Sequence, residues 1–310
     1  MQLDDCHHKF LQYIRLELDY SKATVISYRT DFRQFFGFLE SQGSCPEIED
    51  ITTPMIREYI YFLSEDRGLH PNSIRRKIHS LSSFFKFCYT EEYISKNPML
   101  RVTAPKKRQP VPIYLPAPDL QKLMDAPMAK GKERTKLRDT LILKTFVFTG
   151  IRRSELLKLN WEDIDFIDQT VKIHGKGSKE RLIPLPPQLV AELQIYKDSQ
   201  RVSLASPVFR SVTGRRLSGR ILSEMFHRYE RKAGIEGKGY SIHKMRHSFA
   251  TLLLQSDVSV VEIQKLMGHS DISSTLIYAH TTAQRLQDAV QKHPLLDNEP
   301  VQARKDRTKT

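Results

Sequence analysis

Between residues 10 and 90, apolar residues recur with the 3.6-residue period of a helix in four successive blocks. Four amphipathic helices are therefore expected. The clearest stripe runs Val25, Tyr28, Phe32, Phe35, Phe36 and Leu39. Another block opens with Thr53 as the expected N-cap and Pro54 at the first helical position, and it stops at Gly68. A later one carries Ile74, Ile78, Leu81, Phe85 and Cys88. No set of residues here has catalytic spacing, and the region reads as a small helical bundle.

The pattern then breaks. Pro98, Pro105, Pro110, Pro112, Pro116 and Pro118 fall within one short stretch that also holds Lys106, Lys107 and Arg108. Proline fixes φ and removes a donor, so this segment is expected to be an extended interdomain linker. Its basic run faces either solvent or a phosphate backbone.

From residue 119 the chain reads as mostly helical with one β interruption. Leu137 to Phe148 forms a buried helix closed near Gly150. Thr170 to His174 and Glu180 to Leu185 flank the turn Gly175-Lys-Gly-Ser-Lys179, which predicts a hairpin. Helices are expected at about 217–233, 243–255 and 258–267, the last ended by Gly268. The polar tail after Pro294 is read as disordered. The fold class is mainly α: a four-helix N-terminal domain followed by an α+β domain with a small β-sheet or hairpin. The expected limits are 1–100, a linker at 101–116, the second domain at 117–293 and a tail at 294–310.

Charge changes the picture more than composition does. The 310 residues carry a formal net charge of +13. Residues 1–108 hold 16 basic and 14 acidic side chains, whereas 109–310 hold 33 and 22. Such a basic second part fits a polyanionic partner, most simply nucleic acid, or else a well-solvated surface. No apolar run approaches the roughly 18 residues of a membrane span. Met1 to Lys9 lacks the apolar centre of a secretory signal. Cys6, Cys45 and Cys88 form no CxxC pair and suit a reducing cytosol.

Candidate chemistry is confined to the second part. In Thr149-Gly-Ile-Arg152-Arg-Ser-Glu155, an arginine stands at a helix break. In His243-Lys-Met-Arg246-His247, His243 and Arg246 are three apart and share a helix face. His243 and His247 have the spacing of a zinc pair, but no HExxH glutamate or third ligand accompanies them, so no metal is expected. Gly268-His269 is followed nine residues later by Tyr278. The Gly175 turn is not a phosphate-binding P-loop, and neither a GxSxG elbow nor a dinucleotide fingerprint occurs. No cofactor is expected. Arginines, a turn lysine, histidines and a late tyrosine together suit phosphoryl transfer. That reaction needs cations at the non-bridging oxygens, a nucleophile and a proton for the leaving group. Arg152 and Arg246 can fork onto a phosphate, Lys176 can donate a proton, and Tyr278 can attack phosphorus, with Tyr240 the next tyrosine to examine.

The set TGIRRSELLKL, HGKGSKERLIPL, HKMRHSFATLLL and MGHSDISSTLIYAH, in that order, resembles the tyrosine site-specific recombinases of the phage-integrase family, Xer-like members in particular. The likeness extends over almost the whole chain, with residues 1–100 similar to the family's SAM-like core-binding domain. It implies that Arg152, Lys176, His243, Arg246, His269 and Tyr278 are catalytic, with Glu155 in support. Two departures are small: Met267 stands where leucine is commoner, and Arg153 where the family is often apolar. The implied reaction is cleavage of a double-stranded DNA recombination site through a 3′-phosphotyrosine, with strands exchanged through a Holliday junction. The implied assembly is a homotetramer on two sites, with an accessory or sister recombinase as a further partner, in the cytoplasm beside the nucleoid. The linker and the basic stretch 215–232 are expected near DNA. The short lead into the core-binding helices leaves no room for an arm-binding domain. That favours a chromosome or plasmid resolvase, or a compact mobile-element recombinase. Two rival readings are a non-catalytic DNA-binding protein on the same fold and a relaxing topoisomerase.

Overall fold

Four helices fill the first part of the chain: α1 (Leu3–Leu16), α2 (Lys22–Ser41), α3 (Thr53–Tyr61) and α4 (Pro71–Thr90). The computed structural model describes residues 2–43, 47–106, 113–175, 180–200 and 202–268. By its contacts the chain divides into two units, Met1–Pro110 and Val111–Thr310.

In the first unit, Val25, Phe32, Phe35 and Leu39 of α2 meet Ile74, Ile78, Leu81 and Phe85 of α4 in one apolar core. Helix α1 begins well before residue 10. Leu3, Cys6, Phe10 and Ile14 are buried at helical spacing, a stripe masked in the sequence by the intervening Asp4, Asp5, His8 and Lys9. The cap of α3 is Thr52, in extended conformation, so Thr53 is already helical; past Tyr61 the helix widens into a π turn over Phe62–Asp66. One buried charge cluster ties α2 to α4, where Asp31 accepts from Lys77 at 3.0 Å and from Arg76. The start of the proline-rich stretch, expected to be an extended interdomain linker, is fastened to this bundle as far as Pro105. Met99 is buried, Val102 and Ala104 pack on the core, and Arg75 donates to the Pro105 carbonyl at 3.0 Å.

The second unit is built around α6 (Lys136–Thr149), which packs against α5 (Ala117–Lys130), α8 (Pro187–Asp198) and α10 (Ile242–Gln255). Leu141, Ile142, Leu143 and Phe146 are all buried. A helix covered on several sides shows no single stripe, which is why it reads as an apolar run. Short α7 (Arg153–Lys158) follows and leads to a three-stranded antiparallel sheet in the order β1-β2-β3. Its strands are β1 (Ile164–Asp165), β2 (Thr170–His174) and β3 (Glu180–Pro184). The expected hairpin is β2–β3, with Val171 opposite Ile183 and Ile173 opposite Arg181. β1 is two residues long, too short to register as alternation. α9 (Gly219–Lys232) and α11 (Val260–Met267) are the remaining helices of this unit among the described residues. Among the described residues, no helix is long and apolar enough to cross a membrane.

Candidate active site

Two helices end where the chain turns into the left-handed region, α6 at Gly150 (φ 59°) and α11 at Gly268 (φ 61°). A glycine there closes a helix without steric cost and leaves its last carbonyls seeking donors. Arginines supply them. Arg246, on α10 and only 8% exposed, donates to Gly150 O at 2.7 Å and to Met267 O at 2.6 Å. Arg152, which precedes α7, donates to Gly268 O at 3.4 Å. Two arginines nearly a hundred residues apart in sequence thus converge on the end of α11.

Glu155 organises the rest. One of its oxygens accepts the Arg152 backbone N–H at 2.7 Å and the other the Arg152 guanidinium at 2.8 Å. From β3, Arg181 forks onto both oxygens, at 3.1 and 2.9 Å, and donates from Nε to Leu266 O at 2.9 Å. Burial alone would push the Glu155 carboxyl up. The hydrogen bonds from Arg181 and Arg152 outweigh it and hold the group at about 2, so it is ionised at every ordinary pH. Two guanidiniums, those of Arg152 and Arg181, face this one carboxylate, which leaves net positive charge for an anion.

His243 stands exposed one turn before the buried Arg246 on α10. Although the residue is exposed overall, partial desolvation of its ring, then Arg153 and Arg246, lower its pKa below the ordinary value, which favours the neutral imidazole. Arg153, one of the two departures from the family pattern, donates to Ser223 of α9 at 3.4 Å. Lys176, His269 and Tyr278 lie outside the described residues. Tyr240, the alternative tyrosine, is buried and donates to Asp119 at 2.8 Å. Burial first, then Asp119, pushes its phenol up to about 12, which makes it a poor nucleophile.

Sequence reasoning missed Arg181, because a lone arginine in a strand looks like a solvated edge residue. Its one signal is its place directly after the Gly-Ser-Lys-Glu turn, opposite core-facing Ile173. The basic stretch 215–232 is also less uniform than its composition implies. Arg215, Arg220 and Arg231 are exposed, but Arg216 binds Leu157 O and Asn160 Oδ1, and Arg228 pairs with the buried Asp139.

The sequence pattern of the phage integrase family matches residues 114–285, and that of the phage integrase N-terminal SAM-like domain matches residues 8–92. The chain belongs to the phage integrase family. Tyrosine recombinase XerC of Halalkalibacterium halodurans is 31% identical, over 94% of this chain and 98% of that protein. XerC of Thermodesulfovibrio yellowstonii is 34% identical, over 92% and 95%. Tyrosine recombinase XerD of Staphylococcus saprophyticus is 32% identical, over 92% and 96%. This family member is accordingly a site-specific tyrosine recombinase, an enzyme that cleaves and rejoins DNA. The fold agrees. The structure of XerH site-specific recombinase bound to difH substrate superposes with a TM-score of 0.73 at 22% identity, covering 92% of this chain and 83% of that one. The Tn1549 transposon integrase in complex with transposon right end DNA gives 0.72 at 20%, covering 94% and 99%.

Proposed function

We propose that this recombinase cleaves one strand of its DNA site by attack of Tyr278 on the scissile phosphate, giving a 3′-phosphotyrosine and a free 5′ hydroxyl. The observation that carries this reading is the convergence of Arg152 and Arg246 on the end of α11, one residue before His269. Two forked cations, Arg246 held by neutral carbonyls and Arg152 by Glu155 and the Gly268 carbonyl, suit the two non-bridging oxygens of a phosphodiester. His243, its neutral form favoured, takes the phenol proton or hydrogen-bonds the phosphate, and His269 adds a further donor. Lys176 protonates the leaving 5′ oxygen. The phosphotyrosine conserves the bond energy, so religation to a partner strand needs neither nucleotide nor metal. Strand exchange by a tetramer on two sites through a Holliday junction, with a sister recombinase or accessory protein, completes the proposal. Its role is that of a chromosome or plasmid resolvase or of a compact mobile-element recombinase.

The test is Tyr278→Phe, which removes only the phenolic oxygen. With a nicked duplex bearing a site selected by the protein from a random pool, the variant is expected to bind as wild type and to form no covalent adduct on a denaturing gel. An adduct that persists would move the nucleophile elsewhere.

A further inference from the structure

The Arg181 guanidinium, outside the residues assigned to the reaction, donates from all three of its nitrogens. Its side chain is 12% exposed, and three of its donors are spent on two different elements, the Glu155 carboxylate of α7 and the Leu266 carbonyl of α11. The packing around it is close. A Cβ built on Gly268 would lie 2.9 Å from Arg181 Cδ and 3.1 Å from its Nε. Arg181 sits on β3, so one side chain joins this strand, the helix behind Arg152 and the end of α11.

Arg152 depends on this arrangement. Its guanidinium is 40% exposed and is oriented by Glu155 at 2.8 Å, with only a long bond to Gly268 O besides. Glu155 in turn is gripped from the opposite side by Arg181. The charged groups facing the Glu155 carboxylate are Arg152 from the start of its own helix and Arg181 from the strand packed against it.

We propose that Arg181 is a positioning residue for DNA cleavage: it fixes Glu155, and through Glu155 the guanidinium of Arg152, against the end of α11. This rests on the reading of Arg152 as a phosphate-binding catalytic group. Arg181 does not touch the phosphate. It keeps the Glu155 carboxylate charged and aimed, so that Arg152 presents its free edge outward in one orientation. Misplacing a catalytic group by an ångström costs on the order of 100-fold in rate. Loss of Arg181 has a second consequence. With the Arg181 bonds gone and those from Arg152 remaining, burial is less fully outweighed and the Glu155 carboxyl moves upward from its wild-type value.

The experiment is single-turnover formation of the covalent adduct by the full chain on the nicked duplex, at saturating DNA and across pH, for wild type, Arg181→Ala, Arg181→Lys and Arg152→Ala. Arg181→Ala is expected to bind DNA within about twofold of wild type and to form adduct on the order of 100-fold more slowly. Its acidic limb should also lie at higher pH than that of wild type. Arg181→Lys keeps the charge but cannot span both Glu155 oxygens and Leu266 O. It is expected to be about tenfold slow with the wild-type acidic limb, and it carries the test should Arg181→Ala fail to fold. Wild-type rates in the lysine variant, or a slow alanine variant with the wild-type pH profile, would overturn the positioning role. Arg152→Ala separates the two readings. If it cleaves normally, the catalytic assignment of Arg152 fails and the role of Arg181 falls with it. If it is inactive while Arg181→Ala matches wild type, the positioning role alone is wrong.

Discussion

Arg152 and Arg246 donate to consecutive carbonyls, those of Gly268 and Met267, at the end of α11. A guanidinium oriented by a backbone dipole keeps its full charge, whereas one paired to a carboxylate has part of its field cancelled locally. Arg246 is aimed by the neutral carbonyls of Gly150 and Met267, while Arg152 is also paired with the Glu155 carboxylate at 2.8 Å. The helix end therefore aims both cations, and Arg246 offers the less compensated charge to a phosphate.

This arrangement gives Arg246 a structural role beside the phosphate-binding one proposed for it. Arg246→Ala strands the buried carbonyls of Gly150 and Met267, at a cost of about 1–3 kcal/mol each unless water reaches them. Arg246→Lys restores charge but only one well-aimed bond. Both variants are expected to cleave at least about 100-fold more slowly, with the lysine variant melting closer to wild type. Adduct assays beside thermal unfolding check this, and a lysine variant with normal cleavage would contradict it.

Gly150 tests the helix end by geometry alone. Its φ of 59° disfavours any side chain, and a Cβ there would come within 2.3 Å of the Phe249 ring. Gly150→Ala is expected to destabilise the protein by about 2–4 kcal/mol through strain and overpacking. Chemical denaturation of the full chain measures it, and a loss below about 1 kcal/mol would show that the ring moves freely aside.

A third expectation concerns pH. Burial, then Arg153 and Arg246, lower the His243 pKa, so the unfolded chain takes up this proton more readily than the folded one. The contribution to stability is whole above the ordinary histidine value and fades as pH falls below it. By NMR, His243 should titrate below a free histidine, and Arg153→Ala should move it upward by removing one repelling cation. An unchanged titration in the variant would remove Arg153 as a cause.

Lys176 calls for a chemical test. A leaving alkoxide needs a proton, but a thiolate does not, its pKa being about 8.5. Lys176→Ala should be severely slow on ordinary DNA and near wild type on DNA with sulfur at the scissile 5′-bridging position. Arg246→Ala should gain nothing from sulfur, because its target is the non-bridging oxygens. Equal rescue of both variants would remove the assignment, and rescue of Lys179→Ala alone would shift it to that lysine.

Elements with an unbroken stripe were legible in the sequence. The α2 and α4 cores, the buried run of α6 and the β2–β3 pairing follow from periodicity and turn chemistry. The start of α1 was not, because charged neighbours dilute the Leu3–Cys6–Phe10 stripe. Within the site, Arg152, His243 and Arg246 were visible as motif residues, but periodicity could not disclose that the two arginines meet at α11. That meeting depends on Gly150 and Gly268, whose left-handed caps create the acceptors. Arg181 stayed hidden because its partners Glu155 and Leu266 lie 26 and 85 residues away.

The second unit begins with a fastening. The Leu115 N–H donates to Ser248 Oγ at 2.7 Å, and Gln255 reaches the Tyr114 hydroxyl at 3.3 Å. Both side chains belong to α10, the helix that carries His243 and Arg246. The chain entering α5 is therefore pinned to α10 two residues from Arg246, and loss of the Ser248 hydroxyl would strand the buried Leu115 N–H beside that arginine.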